Sequence, residues 1–186
     1  MKLSFASLAL VALLGAGTIQ SASAQKAKTV MVGGAPMYPT KNIVENAVNS
    51  KDHTTLVAAV KAAGLVETLS SPGPFTVFAP TNEAFAALPA GTVETLVKPE
   101  NKATLTKILT YHVVAGKMTS ADLAKAIKAG GGKAELTTVQ GEKLTAMMKG
   151  KSIEVKDTKG GIATVTIADV IQSNGVIHVV NKVLMP

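Results

Sequence analysis

Apolar residues follow a helical spacing through the first part of this chain and alternate with polar ones through its last third. Asn42, with Glu45 three residues on, has the form of a capping box and predicts a short helix through Ile43, Val44 and Val48. Asp52 is placed to cap a second helix in which Leu56, Val60 and Ala63 share one face, with Gly64 ending it in a left-handed turn. His53, in the first turn, reads as a solvent-facing polar residue. The cluster Ser70-Ser71-Pro72-Gly73-Pro74 breaks the pattern. A strand then runs to Pro80, and Thr81 or Asn82 caps a helix containing Phe85. Further helices are predicted over Val93 to Val97, over Glu100 to Thr110 with Leu105, Ile108 and Leu109 inward, and from Ser120 and Asp122 through Ile127 to the glycines at 130–132.

Tyr111-His112-Val113-Val114 reads as a strand. From Leu136 onward the period is two: Leu136 to Val139, Leu144 to Met148, Ile153 with Val155, and Val165 with Ile167, separated by glycines. The chain closes on Val165 to Ile171 and Val176 to Val180 with Asn174-Gly175 between them, the pair that best supports the positive φ angles of a type I′ hairpin turn. That register sets Ile171 opposite His178, with Asp169 diagonal to it on the same face. Helices first and strands later give an α+β chain.

Phe75, Phe78 and Phe85 fall within eleven residues, and outside the first 24 residues the only other aromatic side chains are Tyr38 and Tyr111. Each buried ring contributes roughly 1.5 to 3 kcal/mol of transfer free energy, so this segment is the expected core nucleus. At the other end, Met1-Lys2, an apolar run from Leu3 to Ala16 and Ser21-Ala22-Ser23-Ala24 describe a signal peptide for residues 1–24, cut after Ala24, since the run is shorter than the ~20 residues of a membrane span. Residues 25–40, with Gly33-Gly34, Pro36 and Pro39, read as an extended lead-in, and residues 41–186 as one domain. The expected location is the periplasm or the medium.

The net charge of +7 falls to about +6 once Lys2 leaves with the leader, and every basic residue is lysine. Without arginine the chain lacks the planar fork that grips phosphate or guanine through two parallel hydrogen bonds, so the charge points to loose attraction to acidic surfaces and away from specific nucleic-acid reading. No cysteine is present, which removes thiol catalysis, disulfides and thiolate metal sites.

Candidate chemistry is sparse. The sequence has no Gly-x-Ser-x-Gly elbow, phosphate loop, dinucleotide fingerprint or His-Glu-x-x-His pair. If Tyr111 and His112 lie on a strand they face opposite ways and form no dyad. His178, inside Val-Ile-His-Val-Val, is either a metal or proton-transfer group or a core histidine whose hydrogen bonds fasten the hairpin; the apolar setting favours the fastener. The methionines are irregularly spaced and read as core filling, not a soft-metal site. No cofactor and no metal site is expected.

TVFAPTNEAF at 76–85, YHVVAGK at 111–117 and ADVIQSNGVIHVVNKVLMP at 168–186 together resemble the fingerprint of the fasciclin domain, in order and spacing, over about Lys41 to Pro186. The resemblance is to the secreted, single-domain bacterial members. It implies a wedge of two β-sheets with a group of short helices at one side, and a non-enzymatic role in adhesion or extracellular recognition. In animal relatives integrin recognition is linked to an Asp-Ile pair before the Asn-Gly-Val-x-His segment and to a Tyr-His segment. These correspond to Asp169-Val170 and Tyr111-His112, with Val170 in place of Ile. Thr81, Asn82, Asn174, Gly175 and His178 match fingerprint positions of structural type. The expected partner is a cell-surface or matrix protein or polysaccharide, with self-association also open. The alternatives are a carrier enclosing a small apolar ligand between sheet and helices, or a hydrolase.

Overall fold

The computed structural model describes residues 29–186; the leader, its cleavage site after Ala24 and the first residues of the lead-in lie outside them. A small hairpin, β1 (Val30–Val32) and β2 (Ala35–Met37), precedes the helices α1 (Ile43–Ala47), α2 (Thr54–Ala63) and α3 (Val66–Ser70). Strand β3 (Phe75–Pro80) is followed by α4 (Asn82–Ala86), α5 (Thr92–Leu96), α6 (Lys102–Tyr111), β4 (Val113–Ala115) and α7 (Ser120–Ala129). Strands β5 (Lys133–Thr137), β6 (Lys143–Lys149), β7 (Ser152–Lys156), β8 (Ile162–Gln172) and β9 (Gly175–Val180) complete the chain. The seven larger strands lie in the order β4-β3-β9-β8-β7-β6-β5, and an isolated bridge between Val114 and Thr138 brings the two ends together. The long β8 belongs to both halves: its start pairs with β7 and its end with β9, which gives the two-sheet wedge.

The core has two compartments divided by β3 and β9. One holds Val77, Ala79, Ile177 and Val179 against residues of the helices, among them Leu56, Val60, Leu105 and Leu109. The other lies inside the wedge, where Phe78 and Val180 meet Leu123, Leu144, Val155 and Leu184. β3 and β9 run parallel and are buried on both faces, which is why they read as unbroken apolar runs.

Local signals explain most boundaries. The capping box of Asn42 and Glu45 forms in both directions, and Gly64 closes α2 at φ 72°. Thr81 caps α4 by accepting from the Ala84 N–H at 3.3 Å. Asn82 ties the helices together: its Oδ1 accepts from the Thr55 N–H at 3.0 Å and its Nδ2 donates to the Lys51 carbonyl at 2.7 Å. The α7 cap is Thr119, one residue earlier than expected, in a capping box with Asp122. Asp52 caps no helix; it sits in a 3-10 turn over Lys51–His53, and α2 begins after it.

Four expectations change. The lead-in forms the β1–β2 hairpin, whose Gly33-Gly34 turn has φ of 57° and 75°, and it packs Val32 and Met37 into the core. Tyr111 is the last residue of α6 and His112 its C-cap, so the strand starts only at Val113. His53 is buried, because the 3-10 turn points it under α2. The last hairpin turns at Ser173-Asn174: Gln172 pairs with Gly175 and Ile171 with Val176 instead of His178, so the turn moves by one residue and each cross-strand partner by two.

Gly175 is not a positive-φ turn residue. A Cβ there would collide with the Phe75 carbonyl oxygen, and one on Gly73 would collide with that of Asn174, so both glycines permit the close start of the β3–β9 pairing. Gly175→Ala is therefore expected to lower the unfolding free energy by about 3 kcal/mol, at the upper end of overpacking costs. Gly132→Ala, where a Cβ meets open space, loses only the strain of its φ of 102°. Urea denaturation of the two variants checks the difference.

Candidate functional site

The sequence-marked residues fall around the β8–β9 hairpin and the end of α6, and the structure spends them on holding the backbone. His178 is fully buried and stacks on Phe78, its neighbour across the parallel pair, with ring centroids 5.7 Å apart and planes at 28°. Its Nδ1 accepts from the Asp169 N–H at 3.4 Å, which leaves Nε2 protonated to donate to the Met118 carbonyl at 2.8 Å. The imidazole thus fastens β9 to β8 and to the loop before α7. Burial pushes its pKa below the ordinary histidine value, offset in part by the Met118 carbonyl and the Asp169 charge.

Asp169 adopts φ 58°, the one non-glycine residue with a positive φ among the described residues. It sits where β8 slips register against β9, so the bulge aims its carboxylate across to α7. There it accepts from the Ser120 N–H at 2.6 Å and from the Ser120 hydroxyl. Val170, the next residue, is 1% exposed and faces the helices.

His112 is 2% exposed. Its Nε2 accepts from the Leu184 N–H at 2.9 Å, so Nδ1 carries the proton and donates to the Ile108 carbonyl at 2.9 Å. Burial lowers its pKa to about 4, against the opposing effects of the Ile108 carbonyl and the charge of Asp157. Tyr111, fully buried on the other side, donates its hydroxyl proton to the Lys143 carbonyl at 3.0 Å and accepts from the Thr158 N–H at 3.2 Å. Asp157 accepts from the Gly161 N–H at 2.6 Å and the Met185 N–H at 3.0 Å.

Of the four residues expected to make partner contact, Val170, Tyr111 and His112 have no exposed side chain, and Asp169 is only partly exposed and bonded to Ser120. The structure separates them, with Tyr111 inside the wedge and Val170 against the helices, and the three polar ones serve as internal ties. Asn174 Oδ1 accepts from the Ile43 N–H at 3.0 Å, while its Nδ2 donates to the carbonyls of Leu69 and Ser71 at 2.8 and 3.0 Å. Sequence reasoning missed Asn46, fully buried, which bonds both the backbone of Tyr38 and the side chain of Gln172. It also missed Asp157 and His53. Among the described residues no cluster of His, Cys, Asp or Glu could hold a metal ion.

The Fasciclin domain model matches residues 51–186. The chain belongs to the fasciclin-domain family. A Synechocystis protein, sll1483, is 49% identical over 174 residues, covering 93% of this chain and 89% of its own. Immunogenic protein MPB70 of Mycobacterium bovis is 36% identical over 179 residues, covering 94% of this chain and 82% of its own. Transforming growth factor-beta-induced protein ig-h3 of Sus scrofa is 40% identical over 131 residues, 70% of this chain but only 17% of that much longer protein. Among solved structures, a FAS1 domain pair from the insect cell adhesion molecule Fasciclin I superposes with a TM-score of 0.70 at 17% identity, over 78% of this chain and 51% of that one. This likeness shows the fold. The fasciclin fingerprint therefore coincides, in this chain, with the hydrogen-bonded ties around His112, Asp169, Asn174 and His178.

Two predictions follow from the buried ties. A histidine whose folded pKa lies below its unfolded value stabilises the fold above the unfolded value, near pH 6.5, and loses that contribution as the pH falls toward the folded value. For His112 the loss between pH 6.5 and about 4 is on the order of 3 kcal/mol. Urea midpoints should drop across this window, and the drop should be smaller in a His112→Gln variant. Asp169→Ala, which removes both Ser120 bonds and strains the left-handed backbone, should cost about 2 to 3 kcal/mol in unfolding free energy.

Proposed function

We propose that this chain is a non-enzymatic adhesion or recognition module, secreted or periplasmic, that binds a cell-surface or matrix protein or polysaccharide by surface complementarity. The observation that carries the reading is the use made of its chemically versatile side chains. His112 and His178 have both ring nitrogens bonded to backbone, Tyr111 donates and accepts, and the carboxylates of Asp157 and Asp169 hold amides. The His112 and His178 rings fixed in this way have no nitrogen free to move a substrate proton, whereas a binding module needs only a rigid frame under a varied surface. The fasciclin-domain match and the likeness to a FAS1 domain pair of an insect cell adhesion molecule support the same reading. The leader-like first 24 residues support an extracytoplasmic location, and among the described residues no helix is long and apolar enough to cross a membrane.

Since three of the four fingerprint contact residues are buried, we place the contact on the N-terminal hairpin and α1. Met31, Tyr38 and Val48 are there 58%, 45% and 49% exposed. Tyr38, with the Lys41 ammonium 5.4 Å from its ring centroid, presents the amphipathic aromatic surface that binding interfaces favour. The double variant Met31→Ser, Tyr38→Ala should fold normally and lower attachment to envelope or matrix preparations by tenfold or so, about the 1 to 2 kcal/mol that an anchoring aromatic contributes. Asp169→Asn should leave attachment near wild type. Loss in the Asp169 variant alone would return the contact to the hairpin end of β8.

A further inference from the structure

His53 is the exception among the three histidines. It is 3% exposed, its Nδ1 shares a hydrogen bond with Ser50 Oγ at 2.9 Å, and its Nε2 has no partner among the described residues. The Ala79 carbonyl favours the protonated ring but does not reach hydrogen-bonding geometry with Nε2. Buried polar atoms without partners are rare, and each calls for an explanation. His53 also lines a cavity of about 50 Å³ between the helices and the outer face of β3 and β9, walled by apolar side chains including Leu56, Val60, Leu69, Val77 and Ile177.

The chemistry of that wall narrows the occupant. The space is large enough for water, but an ordered buried water needs two to four polar partners, and besides Nε2 the polar side chains of the lining are Ser50, already bonded to Nδ1, His112 and the solvent-exposed Lys61. His112, which also lines the cavity, has both nitrogens engaged. A carboxylate would need a charged partner beside the ring, but the charged residue of the lining, Lys61, is exposed to solvent, and burial favours the uncharged ring of His53. With Ser50 donating to Nδ1, Nε2 carries the proton and donates; with the other tautomer it accepts. A hydroxyl satisfies either state, since it both donates and accepts.

We propose that this cavity is a binding site for a small alcohol, its hydroxyl held by His53 Nε2 and its hydrocarbon body packed against the apolar wall. The partner surface proposed above lies on the outer face of the hairpin and α1 whose inner residues Val32, Met37, Ile43 and Ala47 line this cavity, and the two are read out separately, one by attachment and the other at the His53 ring. The cavity is smaller than the about 150 Å³ hole that accepts benzene, so short-chain alcohols fit first.

The test uses the whole chain, labelled with 15N, titrated with 1-butanol and with 1-chlorobutane, a probe of similar shape that lacks the hydroxyl. Long-range 1H–15N spectra resolve the three imidazoles, with His112 and His178 as internal references. The expected result is a saturable shift at the His53 ring and binding of 1-butanol about three- to tenfold tighter than of 1-chlorobutane, the range of one net hydrogen bond. His53→Leu should remove the preference. The wild-type comparison stands alone if that variant does not fold. Equal binding of the two probes, no saturable shift at His53, or a long-lived water detected on Nε2 throughout the titration would overturn the proposal.

Discussion

The parallel pairing of β3 with β9 is the constraint on which the rest of this fold depends. Those two strands come from opposite ends of the domain and meet in register over six residues, from Phe75 with Gly175 to Pro80 with Val180. They wall both core compartments, so each of their residues is buried on one face or the other. Parallel strands cannot be joined by a tight turn. The intervening chain must cross over, and it does so by building four helices, strands β4 to β7 and the long β8 before returning. The late β9 therefore has to find β3 through a chain separation of about a hundred residues, the sort of long-range closure that makes folding slow.

Polar side chains make that closure specific. Asn174 receives the backbone of α1 and donates to that of α3, so the turn before β9 is held by helices from the start of the domain. His178 then joins β9 to the loop before α7, and Asp169 joins the bulge in β8 to the first residue of α7. His112 and Asp157 hold the last residues through the amides of Leu184 and Met185. A hydrophobic core alone would tolerate slippage by two residues along β9. Buried donors and acceptors with one set of partners do not, because each misplaced bond leaves a group desolvated at a cost of about 1 to 3 kcal/mol.

Much of this was legible in the sequence, and the misses have physical causes. The period-two stretches located β6 to β9 and the capping box located α1, because side-chain spacing and local hydrogen bonding act over a few residues. His178 was readable as a core fastener, since an isolated imidazole in a valine-rich strand must be bonded. The hairpin turn was misplaced by one residue because Asn174-Gly175 carries the signature of a positive-φ turn, while here Asn174 is chosen for its amide bonds and Gly175 for its missing Cβ against Phe75. A hairpin turn of two positive-φ residues does form at Gly33-Gly34, but the flanking segments are too short and too proline-rich to read as strands. Tyr111 and His112 looked like strand because Val113 and Val114 follow them; the helix of Leu105 and Leu109 continues to Tyr111 instead. Burial of Val170, Tyr111 and His112 depends on contacts made tens of residues away, which no local pattern encodes.

The bridge from Val114 to Thr138, with the Val139 N–H donating to the Val113 carbonyl at 2.7 Å, has one more consequence. It occupies backbone groups at the two ends of the seven-stranded sheet, which in an open sheet would template a strand from another chain. Strand addition is therefore blocked at the corner where Val113 and Val114 meet Thr138 and Val139, and a partner that docks there has side chains, not free backbone, to read.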